Sequence, residues 1–347
     1  MHNPVFWAQA WFVLLSAMLA AYAVLDGYDL GVGALHPWVA KTAEERRICV
    51  NAIGPVWNGN EVWLIAAGGM MLVAFPRVYA SGFSGFYLAL MAVLWLLLMR
   101  GIAIEFRSHF AHHMWRGFWD VTFGLASIFL ALFLGVALGN IVRGLPIAPN
   151  GYFQGSFTLL LNPYSLLTGL LSLTLLVWHG ANYLRRKAVG TLEERARQWA
   201  AGLWWAALAL IAGMTAATLA LRAGIGANFL RQPLALILPA VTVAGLGLGF
   251  WSRRRGRQVA AFRASTMVIV GLLGSAAASV YPALLPSTLD RHDSLTIFNA
   301  ASTPHALFTS FLANIVGMIA VAFYSYHVHR TFAGKVHLPA PGTGHEY

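Results

Sequence analysis

The chain has 347 residues, of which 59% are hydrophobic and only 10% charged, with 21 Phe and 13 Trp. Soluble domains carry about 25% charged residues, so a soluble globular enzyme is excluded. The formal net charge of +11 reads as membrane topology rather than as a surface for nucleic acid. The single cysteine, Cys49, excludes an internal disulfide and any multi-cysteine metal or iron–sulfur site.

Apolar segments of about 20 residues recur, the length a helix needs to cross hydrocarbon. A barrel would show alternating segments of about ten residues. The expected fold is an all-α integral membrane protein with nine transmembrane helices, near 5–25, 53–74, 79–99, 118–142, 164–184, 199–221, 233–251, 264–285 and 305–326. The opening MHNPVFWAQAWF lacks the basic start of a cleavable signal, so the first span is expected to be retained. The seventh span is the weakest because of its glycines. Gly245, Gly247 and Gly249 read as helix packing, since no strand precedes them as a nucleotide loop would require.

The basic residues test this count. With nine spans, all Lys and Arg except Arg77, Arg143, Arg222, Arg231 and Arg291 fall on one side. That bias places the N-terminus outside and the C-terminus in the cytoplasm. The connectors KTAEERR (41–47) and GTLEERAR (190–197) share a composition. They suggest one polytopic domain of two four-helix bundles, about 1–150 and 151–290, with a peripheral ninth helix and tail over 291–347. The competing reading is that any acidic–basic connector looks like this.

Ionisable residues within or near spans are candidates for function. Asp26 and Asp29 in LDGYDLGVG are i, i+3 neighbours at the expected cytoplasmic end of span 1. Anions are disfavoured at a helix C-terminus, so a cation such as Arg46 or Arg47 should compensate them. Either they anchor the helix end as an ion pair or they relay protons. WNGNEVW (57–63) opens span 2. There Asn58 is a competent N-cap, Glu61 sits favourably near a helix N-terminus, and Trp57 and Trp63 are interface aromatics. Glu61 is either part of that cap or a proton-handling group. Glu105 lies past span 3 near Arg100 and Arg107, and surface pairing is the simple account. Asp120 reads as a helix N-terminal anion.

Histidines add little. His109 and His113 have chelating i, i+4 spacing but no third partner. His179 stands within a span, where it either hydrogen-bonds a neighbour or ligates haem. The first is favoured, because His305, at the other face, offers no partner at like depth.

Taken together, LDGYDLGVG (25–33), ERRICVNAIGPVWNGNEVWLIAAGG (45–69), FPRVYASGFSGFYLAL (75–90), FRSH (106–109), GVALGNIVRGLP (135–146), LNPYSLLTG (161–169) and YPALLPSTLDRHDSLTIFNAASTP (281–304) resemble subunit II of cytochrome bd-type quinol oxidases, including the cyanide-insensitive branch. The similarity runs in order over essentially the whole chain and is least distinctive over about 185–265. The resemblance implies a bacterial inner-membrane, multi-pass subunit of a terminal oxidase in the respiratory chain. That complex oxidises quinol, reduces dioxygen to water and takes protons from the cytoplasm. It implies a haem-bearing partner, subunit I, with two b-type haems and one d-type haem, and no haem or metal in this chain. This chain would support subunit I and contribute a proton pathway without being catalytic by itself. A structural quinone and small single-span accessory subunits occur in some members; nucleic acid is no partner. Asp26, Asp29 and Glu105 match acidic positions of the family. Asn58 stands where many relatives have aspartate, in WDGN, and Glu61 where they have Gln or Glu. Asn58 can hold water but cannot titrate. A second reading is a proton-coupled transporter of repeated halves, which predicts a substrate site at the midplane, whereas the carboxylates here crowd one edge.

Overall fold

The computed structural model describes residues 4–336 apart from Ala223; the last part of the expected tail, with Glu346, lies outside the described residues. The first half of the chain is α1 (Pro4–Val39), α2 (Ala43–Ile53), α3 (Trp57–Ala74), α4 (Pro76–Gly85), α5 (Tyr87–Phe106) and α6 (His113–Arg143). The rest is α7 (Phe157–Leu160), α8 (Pro163–Lys187), α9 (Gly190–Leu221), α10 (Ile225–Arg231), α11 (Ile237–Arg255), α12 (Gln258–Val280) and α13 (Pro304–Thr331). A two-stranded antiparallel ribbon, β1 (Ala283–Leu285) with β2 (Leu295–Thr296), lies between α12 and α13.

Eight helices are long and apolar enough to cross a membrane: α1, α5, α6, α8, α9, α11 with the 3₁₀ turn Pro233–Leu236 before it, α12 and α13. The expected second span is helical as α3 but is not among the eight. Its 18 residues spend Asn58, Asn60 and Glu61 in the first turns, which dilutes the apolar stretch. Gly54 and Pro55 separate it from α2, because proline removes a helical donor and clashes with the preceding turn. The third expected span is two pieces, α4 and α5, parted at Phe86 after the Gly82–Gly85 run. The first span extends well beyond 25. α1 continues unbroken through both aspartates to Val39, with Pro37 only in its last turn.

Local chemistry fixes several starts. Thr42 and Glu45 form a reciprocal capping box on α2, and Asn162 and Thr303 accept from the first turns of α8 and α13. α1, α3, α5 and α6 pack side by side, as do α8, α9, α11 and α12. α1 and α6 meet α8 between the two sets, and α13 lies against α1 and α3. The crossing of α1 and α8 is unusually close. A Cβ on Gly31 would land on the Leu176 carbonyl, and one on Gly180 on the Gly31 backbone. Small residues are what let membrane helices approach to this distance. Three apolar clusters fill the interior, a small one around Leu30, Leu130, Leu176 and Ile269 and two larger ones. One, around Trp11, Phe75, Ile147 and Leu295, lies toward the start of α1; the other, around Tyr28, Val32, Trp178 and Tyr183, lies toward Val39.

Candidate functional site: a buried acidic cluster around Arg100

The helix α1 carries Asp26 and Asp29 one turn apart, and both are fully buried. They do not mark a helix end, because ten further residues of helix follow Asp29. Their cation is neither Arg46 nor Arg47. It is Arg100, which comes from the body of α5 rather than from a loop and is itself fully buried. Its Nη1 donates to Asp26 Oδ1 at 2.6 Å, and its Nη2 donates to Glu61 Oε2 at 3.1 Å. One planar guanidinium thus ties α1, α3 and α5 together, which its fixed fork of donors permits and a lysine would not. Trp57, half-buried in the first turn of α3, packs its ring against Gly101 beside that arginine. Trp63 is half-buried two residues past Glu61 and packs with the cluster around Trp11.

Asp29 is held differently. Asn60 Nδ2 donates to Asp29 Oδ2 at 2.8 Å and to the Tyr28 hydroxyl at 2.7 Å. Tyr28 in turn donates to His329 Nε2 on α13, at 2.7 Å. The other ring nitrogen, Nδ1, lies 2.7 Å from the Ser325 carbonyl and must carry the proton, since a carbonyl only accepts. Tyr28 also stacks on Tyr183 of α8, 4.0 Å between ring centroids. Asp26 Oδ2 and Asp29 Oδ1 have no hydrogen-bond partner among the described residues.

Asn58 takes no part in this. It is exposed, and the cap position of α3 belongs to Val56, with no side-chain cap bond. The amide that reaches Asp29 is Asn60, two residues on and facing inward. Glu105 is exposed, and its two supposed partners turn elsewhere, Arg100 to Asp26 and Arg107 to Asp120. Asp120 is buried two turns inside α6. It receives Arg107 Nε at 2.5 Å and Nη2 at 3.3 Å, plus Arg46 Nη1 at 3.3 Å. His36 Nε2 stands 3.7 Å away from it, its Nδ1 bonded to the Gly33 carbonyl. This second charge cluster closes the Val39 end of α1 over the first.

His179 is fully buried with both ring nitrogens engaged: Nδ1 at 2.7 Å from Ser265 Oγ, and Nε2 donating to the Val24 carbonyl at 3.0 Å. Its ring stacks on Phe262, 4.6 Å between centroids. A histidine so occupied has no lone pair to give a haem iron. It bonds α8 to α1 and α12.

Three participants were not singled out from sequence: Asn60, Tyr28 and His329. Asn60 lies inside the WNGNEVW stretch and Tyr28 between the two aspartates, so proximity was an available signal. His329 lies 300 residues from Asp29, and only the fold brings it there.

The comparisons with known proteins agree with one another. Residues 7–332 match the family described as cytochrome bd terminal oxidase subunit II. The chain is 33% identical to the cytochrome bd-I ubiquinol oxidase subunit 2 of Escherichia coli (strain K12), over 90% of this chain and 88% of that one. It is 30% identical to the cytochrome bd ubiquinol oxidase subunit 2 of Bacillus subtilis (strain 168), over 92% and 95%. The structure of bd oxidase from Geobacillus thermodenitrificans shares the fold, with a TM-score of 0.76 at 20% identity, covering 94% of this chain and 98% of that one. A family match over nearly the full length, two relatives of like extent and a shared helical fold place this multi-pass bacterial inner-membrane chain in one group: it belongs to the family of subunit II of cytochrome bd terminal oxidases.

Proposed function

We propose that this chain is the haem-free subunit II of a quinol:dioxygen oxidoreductase. It would support a haem-bearing subunit I, with two b-type haems and one d-type haem, and supply a proton path from the cytoplasm. The observation that carries the proton path is the cluster of Asp26, Asp29 and Glu61 around Arg100. Three carboxyl groups share one guanidinium, which bonds Asp26 and Glu61, while Asp29 sits one turn along α1 from Asp26. If all were ionised, two negative charges would stay uncompensated in a buried site, at a cost of several kcal/mol each. The cluster therefore retains protons and exchanges them when a route to water exists. Glu61 supplies that route, because its side chain is 16% exposed while those of Asp26 and Arg100 are fully enclosed. Asn58 and Glu105, on the surface nearby in sequence, hold water and collect protons at its mouth. Asp29 is the inner acceptor, with one carboxyl oxygen clamped by Asn60.

The clustering of basic residues beyond Val39, Phe106, Lys187 and Arg255 supports a cytoplasmic assignment for that end. On this reading α3 crosses as the ninth helix, its polar first turn seated against Arg100. The two sets of four helices are repeated halves, with α13 peripheral. The least buried of the eight long helices, α5, α11 and α13, offer their outer faces to lipid, subunit I or a single-span accessory subunit. His179 supports the haem-free assignment, since its nitrogens are already bonded. The midplane substrate site of a transporter has no counterpart in an acidic cluster gathered toward one end.

The test is steady-state oxygen consumption with simultaneous proton uptake by the assembled complex carrying Glu61→Gln or Asp29→Asn. Both are expected to lower turnover and uptake together while the haem spectrum stays normal. Full turnover with full uptake in both variants would reduce the cluster to a structural clamp.

A further inference from the structure

Arg185 stands apart from the other buried arginines. It is 4% exposed in the last turn of α8 and pairs with no carboxylate among the described residues. Its Nη1 reaches only the Asn182 amide oxygen, at 3.3 Å. That contact fixes the amide so that Asn182 Nδ2 points away, and Asn182 is 1% exposed. Asn182 Nδ2 and Arg185 Nε are both buried without a hydrogen-bond partner among the described residues. The two side chains line one small cavity, with Trp204, Ser252, Arg253 and Ala261. Arg253 is held in place over the rings of Trp204 and Trp205, with its Nη1 on the Ala201 carbonyl at 3.0 Å. Ala261 belongs to the first turns of α12, whose N-terminal cap position, Arg257, supplies no side-chain acceptor.

Among the described residues no carboxylate lines the cavity. The nearest acidic residues in sequence are committed elsewhere, Glu193 to Gln258 and Lys335, and Glu194 to Arg197. Two guanidinium groups and an unpaired amide therefore line one cavity, and among the described residues Glu193 and Glu194 reach Arg185 only from a distance, without a bond to it. We propose that Arg185, Asn182 and Arg253 form a binding site for a small inorganic anion of the halide class, enclosed between α8, α9, α11 and α12. The size argument selects that class. The cavity has room for about one water-sized occupant, a size that a monatomic anion comes near and a tetrahedral oxyanion exceeds. A water would satisfy the donors but leave the buried Arg185 with no bonded anion, the costly arrangement. A monovalent anion does both. The site ties four helices of the second set together at the end where α8 and α11 finish. It is independent of the proton path proposed above.

Crystals of the oxidase complex soaked in sodium bromide test this, together with thermal unfolding of the same complex in bromide and in gluconate at equal ionic strength. The expected result is an anomalous bromide peak bonded to Arg185 Nε and Asn182 Nδ2, and a saturable rise in unfolding temperature specific to halide. Asn182→Asp, which fixes a negative charge beside Arg185, is expected to abolish the halide dependence while leaving oxygen consumption unchanged. Arg185→Gln should lose the peak, and if it fails to assemble the aspartate variant still decides. A water or a lipid phosphate in place of bromide overturns the proposal, as does a halide response equal in wild type and Asn182→Asp.

Discussion

Replacing Arg100 by methionine removes the one cation that Asp26 and Glu61 share. At an effective dielectric of about 20, charges at the observed 2.6 and 3.1 Å attract by about 6 and about 5 kcal/mol. Most of that gross attraction offsets the desolvation of three ionic groups, so the net worth of the triad is small. The loss on breaking it is not small, because Asp26 would stay fully buried with no cation. Removing one partner of a buried pair costs about 3–5 kcal/mol. Arg100→Met should therefore cost that much, enough to depress the yield of assembled complex. Adding Asp26→Asn and Glu61→Gln to Arg100→Met should regain most of it, since a neutral triad carries no uncompensated charge. Thermal unfolding of the detergent-solubilised complex, followed by tryptophan fluorescence, reads both effects. Stability of Arg100→Met within about 0.5 kcal/mol of wild type, the range of an ordinary surface substitution, would refute the reasoning. So would a triple variant no better than the single one.

Gly31→Ala places a methyl group on the Leu176 carbonyl and should destabilise the α1–α8 contact by about 1–3 kcal/mol or more, read as a lower unfolding temperature; Gly68→Ala, whose Cβ meets nothing within 4 Å, is the control. His179→Ala should lower stability by about 1–3 kcal/mol through the orphaned Ser265 and Val24 groups yet leave the haem content per complex unchanged, and loss of one haem in its absorption spectrum would show the bonding pattern to be misread. Glu45 joins α2 to α9 through Thr191 at 3.0 Å and Arg195. Burial opposes its charged form, but hydrogen bonds from Lys41, Thr191, Thr42 and Arg195 outweigh that and hold its carboxyl below the usual range. A depressed folded-state value stabilises above the unfolded value of about 4.3 and is lost as pH falls through the folded one. Glu45→Gln should therefore be less stable than wild type at neutral pH, with the gap closing in acid; a gap independent of pH would assign the loss to packing.

The bundle was legible in the sequence because lipid imposes a single strong demand, about 20 apolar residues per crossing. Where α3 departs from that rule, the hydropathy signal weakens, and the same residues that weaken it build the site. The acidic positions Asp26, Asp29 and Glu61 were also legible, since a carboxylate beside hydrocarbon is anomalous whatever its partner. Their partners were not. Arg100 follows LLLM directly and reads as the start of a basic loop, but α5 begins eight residues later than the predicted third span and carries it inside. Asn58 and Asn60 are indistinguishable by type, and a rotation of about 200° along the helix sends one to the surface and the other to Asp29. Such phase depends on where a helix starts, which here is set by Pro55 and the packing of Trp57. The partner of Tyr28 comes from the far end of the chain, a tertiary fact with no local signature.

The length of α1 has its own consequence. At 1.5 Å per residue its 36 residues make a rod of roughly 54 Å, against a hydrocarbon layer of about 30 Å. Its negative pole lies roughly 15 Å beyond Asp29 at the same rise, outside the last turn where a helix end acts on charge. The two acids are thereby insulated from that pole. They are also fixed one turn apart on a stiff shaft whose far end is held against α6, where Asp120 stands 3.7 Å from His36. A push on that contact reaches both carboxylates as one axial displacement, so the pair moves as a unit relative to Arg100 rather than opening against itself.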